Sequence, residues 1–308
     1  TRFKHVPLIW IEMTVFKRWR RLAPALIGLA CLLGSASAVA GPKPVVIGST
    51  NFPEQLILAN IYAQALTAHD IKVKKRLNLG SREIVFPALT NGELDLLPEY
   101  SGALVGFLTN GESKAGKPDA VMAALRDNLP KGVVALEPSA AQDKDGLVVT
   151  PKTAKQYRLK SLSDLAPVAG KLTLGGPPET QTRYVGVPGL KAVYGIQFGQ
   201  FRSLDAGGPL TQGALQSGAI DVARMFTTQG VIAQRGWVLL KDDKNLVPAQ
   251  NIVPVARQAV LTEKIRNVLN AISAELSTTD LQQMNRRVSV DHDDPSAVAG
   301  DWLKAHPL

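Results

Sequence analysis

Residues 78–102, NLGSREIVFPALTNGELDLLPEYSG, carry in one run a loop, a short helix, a strand and a second loop. Gly80 closes an apolar run, and residues 83–89 have helical spacing, which puts Ser81 where a helix begins. A hydroxyl at that position caps free amides, and a helix start attracts anions. Leu94, Leu96 and Leu97 around Asp95 then predict a short buried strand that stops at Pro98. Glu99, Tyr100, Ser101 and Gly102 fall just beyond it, at a strand's carboxyl end, where open α/β sheets hold their ligands. The run therefore offers a helix start for an anion and an aromatic face for a cation. The same spacing also fits a capped helix followed by a buried strand with a surface tyrosine.

Outward from this run, strands and helices alternate. Residues 45–47 read as a buried strand, 52–66 as a helix, 71–77 as a strand, and 133–136 as another strand after two more helices. Such alternation predicts an α/β fold with mostly parallel strands and helices on both faces. The pattern then recurs. Gly92-Glu93-Leu94-Asp95 has a counterpart in Gly218-Ala219-Ile220-Asp221, each after a helix and each followed by an aromatic, Tyr100 once and Phe226 the other time. Two lobes of similar construction are expected. The chain leaves the first around residues 146–150 and returns near 251–255, giving 41–146 as lobe I, 147–250 as lobe II and 251–308 as the return with C-terminal helices. Two crossings without a flexible linker imply a hinge. Asp294-Pro295 marks a late helix start.

The first forty residues stand apart. Lys17, Arg18, Arg20 and Arg21 precede the apolar run 22–33, and Ala38-Val39-Ala40 has the pattern of a signal peptidase site, so residues 1–40 are expected to be a signal peptide behind an upstream extension. Export to the periplasm with cleavage near Ala40 is the favoured reading, and a lipid anchor at Cys31, the single cysteine, is the alternative. Removing the six Lys/Arg and one Glu of this segment from totals of 35 and 26 leaves a net charge of +4. That mild excess has no basic run with interleaved aromatics, so nucleic acid is not expected as a partner.

Catalysis finds little support. No histidine lies near a Gly-x-Ser-x-Gly turn, and Gly175-Gly176-Pro177-Pro178 lacks the pattern of a nucleotide cradle. Asp291-His292-Asp293-Asp294 reads as a polar turn before a helix rather than a metal site. No enzyme activity, cofactor or metal is expected. For binding, Ser49, Thr50 and Asn51 follow a strand and precede a helix, with Gln55 one turn in. Arg183 is a candidate to reach a ligand carboxylate from the second lobe, or equally to pair with Glu179 one helical turn earlier.

Gly-Ser-Arg-Glu at 80–83, Gly-Glu-Leu-Asp at 92–95 and Pro-Glu-Tyr-Ser-Gly at 98–102 resemble the osmoprotectant-binding proteins of ATP-driven importers, the receptors for glycine betaine, choline and carnitine. Residues 47–55, 161–165, Gly207-Gly208-Pro209-Leu210 and Phe226-Thr227-Thr228 continue the likeness in order. The resemblance implies a bilobal periplasmic-binding-protein fold of type II, with two mixed sheets flanked by helices and a hinge between lobes. It also implies a monomer that binds a small solute in the interlobe cleft and hands it to permease and ATPase subunits. Relatives cage the quaternary ammonium with four aromatics. Here the first falls on Tyr100 and the third on Phe226, while the second and fourth fall near Asp145-Gly146 and Ala249-Gln250, which are not aromatic. The implied site comprises Ser49, Asn51, Gln55, Ser81, Arg82, Tyr100, Arg183, Phe226, Thr227 and Gln250. The incomplete cage leaves two readings open beside a weak osmoprotectant receptor: a receptor for another polar solute such as an amino acid, with Gln229 and Gln250 as hydrogen-bonding groups, and an enzyme or signalling receptor on the same scaffold.

Overall fold

A computed structural model describes residues 43–308; the expected signal segment and Cys31 lie outside the described residues. The first part of the chain lays down β1 (Val45–Gly48), α1 (Pro53–Ala68), β2 (Val73–Arg76), α2 (Arg82–Thr90), β3 (Leu96–Tyr100), α3 (Ser101–Leu108), α4 (Pro118–Asn128) and β4 (Val133–Ala135). The second contains β5 (Asp145–Val149), α5 (Pro151–Tyr157), β6 (Thr173–Gly176), α6 (Val187–Tyr194), β7 (Gln200–Ser203), α7 (Pro209–Ser217), β8 (Val222–Phe226), α8 (Val231–Gln234) and β9 (Val238–Leu239). The chain returns through β10 (Ile252–Arg257) and ends in α9 (Glu263–Glu275), α10 (Thr278–Ser289) and α11 (Pro295–Ala305).

Two five-stranded sheets result, ordered β2-β1-β3-β10-β4 and β7-β6-β8-β5-β9. In each, three parallel strands are extended by an antiparallel strand that arrives from the other half of the chain, β10 in the first and β5 in the second. The sheets are thus mixed and flanked by helices. Side chains alternate across the first sheet. Leu96, Tyr100, Ile252 and Ala256 pack with α1, α9, α10 and α11 on one face, where Leu281, Met284, Val298 and Trp302 join them. Leu97, Val253 and Val255 pack with α2, α3 and α4 on the other.

The repeated Gly-x-apolar-Asp has a structural cause. Gly92 and Gly218 take φ of 83° and 76°, the left-handed ends of α2 and α7 that glycine reaches at little cost. Leu94 and Ile220 are then buried, and the two aspartates each clasp the neighbouring strand. Asp95 accepts from the Val46 amide at 2.9 Å through Oδ2, and Asp221 does the same for Thr173 at 2.9 Å. Five residues later the chain delivers Tyr100 and Phe226 to the ends of β3 and β8.

Two local expectations change. The strand does not stop at Pro98, because Pro98 faces Pro254 across an antiparallel ladder whose hydrogen-bonded positions alternate. Arg257 donates to Asp95 and Ser101 to Asn251, so Pro98 falls where no amide is required for that ladder. Glu99 and Tyr100 therefore end the strand, and Ser101 and Gly102 open α3. Residues 146–150, read as a crossing, fall on β5 and the residue after it, and β5 is paired along its length with β8. The change of sheet lies between Ala135 and Asp145, beside the return segment, as the Gln142–Asn251 bridge records.

Candidate functional site

The parallel strands of the two sheets point their carboxyl ends at one cleft. From the first lobe, the turn after β1 brings Thr50 and Phe52, and β3 ends in Tyr100; from the second, β8 ends in Phe226. Phe52 stands at the extended position before Pro53, the first residue of α1, which fixes the exit of its side chain from the helix start. Its ring stacks on Phe226 at 4.8 Å and 23°, and on Tyr100 at 6.1 Å and 25°. Three rings from two lobes thus form a continuous aromatic wall.

Polar atoms around this wall lack partners. Among the described residues, nine buried side-chain polar atoms make no hydrogen bond, and five of them, on Thr50, Asp143, Asp145, Arg224 and Gln250, belong to residues lining the cleft, the Asp145 oxygen being held instead by an ion pair with Arg224. Buried polar groups are normally satisfied, so this concentration marks a surface shaped for a polar guest. A wider hollow of about 540 Å³ continues past Arg82, Asp145 and Arg183 toward Lys114 and Tyr184, but of those five residues only Asp145 reaches it, and none of the three stacked rings does.

Charge in the cleft is unbalanced. Arg82 is bound bidentate by Glu99, with Nη2 to Oε2 at 2.8 Å and Nε to Oε1 at 2.9 Å, both side chains buried. Arg224 pairs with Asp145, and Arg183 with Glu83 at 2.9 Å. Each cleft arginine is therefore neutralised within the protein. Behind Tyr100 lies Glu54, buried, which accepts from the Tyr100 hydroxyl at 2.8 Å, from Thr228 Oγ1 at 2.7 Å and from Asn285. Burial pushes its carboxyl up against the pull of those donors, and burial with the nearby Glu54 and Asp143 carboxyls pushes the Tyr100 hydroxyl up as well.

The residues singled out in the sequence separate into two groups. Asn51, Ser81, Arg82, Tyr100, Arg183, Phe226 and Gln250 line the cleft. Ser49, Gln55 and Thr227 do not. Ser49 Oγ accepts from the Asn78 amide at 2.9 Å, Gln55 bridges Thr50 and Pro98, and Thr227 holds the Lys144 amide and Asp143. All three tie the loops that carry the wall. Gln229 is likewise spent on Gly207 and Phe226. Ser81 begins α2 but donates its hydroxyl to Glu83 at 2.6 Å instead of capping amides. Arg183 reaches Glu83 on the other lobe, with Glu179 farther off at 3.9 Å. Gln250 accepts from the Ala103 amide at 2.7 Å, leaving Nε2 free. Sequence reasoning missed Phe52, Asp143 and Arg224. Phe52 sits inside residues 47–55, which share the family likeness, and its place before a helix-starting proline was the available signal; Asp143 and Arg224 gave none.

The family model for the substrate-binding domain of the ABC-type glycine betaine transport system matches residues 43–305. The glycine betaine-binding protein YehZ of Escherichia coli K12 is 29% identical over 95% of this chain and 98% of its own. The glycine-betaine-binding protein of Pseudomonas aeruginosa PAO1 is 28% identical over 91% and 93%. A crystal structure of a glycine betaine/carnitine/choline ABC transporter superposes with a TM-score of 0.67 at 30% identity, covering 85% of this chain and 98% of that one. With the mixed sheets, the facing strand ends and this match along nearly all the described residues, the chain belongs to the family of substrate-binding domains of ABC-type glycine betaine transport systems.

Proposed function

We propose that this protein binds a quaternary-ammonium osmoprotectant, glycine betaine or choline, in the interlobe cleft, and delivers it as a monomer to the permease and ATPase subunits of an ABC importer after export to the periplasm. The observation that carries the reading is the aromatic wall of Tyr100, Phe52 and Phe226 beside a buried carboxylate that has no ion-pair partner among the described residues. A methylated ammonium donates no strong hydrogen bond, so ring faces and a nearby negative charge are what attract it. Because Phe226 belongs to one lobe and Phe52 and Tyr100 to the other, opening parts the stack and presents ring faces to the solute. The polar end of the solute meets Thr50 and Gln250. Binding rather than turnover is the proposed activity.

Calorimetric titration against glycine betaine, choline, carnitine and a panel of amino acids tests this. Saturable binding of the quaternary ammonium compounds is expected; tight binding of an amino acid, with no betaine or choline heat at millimolar concentration, would overturn it.

The lobes are proposed to close about the paired segments 136–144 and 249–251. Scattering with saturating betaine should give a smaller radius of gyration than without it, and an unchanged value from an open starting form would argue against the hinge. The Arg183–Glu83 pair joins the lobes and should act as a weak latch. Glu83 resists burial through its bonds from Arg183 and Ser81, which hold its carboxyl down to about 2, so the latch stays charged throughout the neutral range. Partly exposed pairs contribute about 0.2–1 kcal/mol, so Glu83→Ala should weaken betaine binding by no more than about fivefold. A loss of a hundredfold would assign Glu83 a direct contact with the solute.

A further inference from the structure

Asp143 and Glu54 form a buried acidic pair that the binding reading leaves without a task. Glu54 is 3% exposed and Asp143 also 3%, and the two carboxyl groups meet around Thr228, whose hydroxyl donates to Glu54 at 2.7 Å and whose amide donates to Asp143 at 3.1 Å. Glu54 is fully supplied with donors, one to Oε1 and two to Oε2. Asp143 receives the Thr228 amide at 3.1 Å and the Thr227 hydroxyl at 3.2 Å on Oδ1, whereas its Oδ2 has no donor at all. Two carboxylates buried around one residue repel each other, and burial with that repulsion raises both carboxyls, which favours one shared proton while no cation is near.

Among the described residues, no cation is ion-paired with either carboxyl. The groups facing the pair are Tyr100 from β3, Thr227 and Thr228 after β8, Asn285 from α10, and Asp145 further along the crossing segment, all neutral or acidic. Arg224 is committed to Asp145, and among the described residues the Lys144 ammonium makes no ion pair. Asp143 itself lines the cleft beside Tyr100 and Phe226.

We propose that the proton shared by Asp143 and Glu54 is exchanged for the cationic head of the solute, so that binding a quaternary ammonium releases a proton to the medium. This deepens the osmoprotectant reading and rests on it. Burial and the Glu54 charge hold the Asp143 carboxyl well above its ordinary range, which keeps the proton in place before the solute arrives. A positive charge against the rings favours the fully ionised pair, and loss of the proton adds a second negative charge to the one the pair already carries, which strengthens the attraction. The sign follows: the cation prefers the deprotonated form, so affinity rises as the pH rises and falls as the pair is protonated. One proton exchanged corresponds to about tenfold in affinity per pH unit. The arrangement also favours cations over isosteric neutral solutes, since a neutral guest leaves the proton where it is.

The test is calorimetry of choline, which has no group titrating near neutrality, in buffers of different ionisation enthalpy, repeated from about pH 5.5 to about pH 8.5. The expected result is a heat that varies with buffer, corresponding to release of up to one proton, and a dissociation constant that weakens toward acid. Asp143→Asn and Glu54→Gln should each abolish the buffer dependence, checked on samples whose circular dichroism matches the parent. Binding with the same heat in every buffer and a flat pH profile would overturn the proton exchange while leaving the osmoprotectant reading intact. No choline or betaine heat at any pH would overturn both.

Discussion

Replacing Arg82 with alanine is expected to lower the stability of the folded chain by about 3–5 kcal/mol, the usual cost of stranding one partner of a buried ion pair. Glu99 would keep only its bond from the Tyr100 amide, at 3.1 Å, inside a site where its side chain is 3% exposed. For a chain of this size that corresponds to a fall in melting temperature of roughly 6–15 °C. The resemblance implied that Arg82 contacts the solute, whereas the structure engages its Nε and Nη2 with Glu99. A double variant separates the two roles. Arg82→Met with Glu99→Met removes both charges and keeps much of the volume, so it should be less destabilised than either single alanine change. If the double variant is as unstable as Arg82→Ala and also loses betaine binding entirely, Arg82 is a ligand contact more than a support for Tyr100.

The fold was open to reading because it is written in local signals that tertiary context reinforced. Pro53–Ala68 is a helix where the apolar spacing of residues 52–66 marked one, and Asp294 caps α11 by accepting from Ser296 and Ala297. The two Gly-x-apolar-Asp segments revealed the pseudo-symmetry because each must turn through a left-handed glycine and then clasp the adjacent strand. The end of β3 was misread for the opposite reason. Pro98 stops an isolated strand, and only its partner Pro254, some 150 residues away in sequence, makes it acceptable. The site was legible only where one residue type carries the chemistry. Tyr100 and Phe226 announce themselves as aromatics at strand ends. Arg183 does not announce Glu83, a hundred positions earlier, because an ion pair across two lobes has no spacing to read. Glu54 and Asp143 were invisible too, since their meaning lies in mutual burial.

Phe52→Ala is expected to weaken betaine binding roughly tenfold to a hundredfold, which is about 1.4–2.7 kcal/mol. The sequence offered two cage aromatics and two gaps; Phe52 supplies a third ring, lodged between the other two. Its removal costs one cation–π contact of about 0.5–2 kcal/mol. It also takes away two ring–ring contacts, each worth about 0.5–1.5 kcal/mol, that hold Tyr100 and Phe226 in their places. Part of that second loss appears as stability instead of affinity, which is why the range stops near a hundredfold. Phe52→Leu distinguishes electrostatics from bulk, because leucine keeps an apolar side chain at the position but has no ring quadrupole. It should bind betaine several times more weakly than the parent. Gln250→Tyr, the change that would fill the fourth cage position, should not compensate: Gln250 is 1% exposed and its Oε1 holds the Ala103 amide at the start of α3. Parent-like affinity in Phe52→Leu would show that the wall acts by shape alone, and with that result the argument that the cleft selects a cation through its rings would fail.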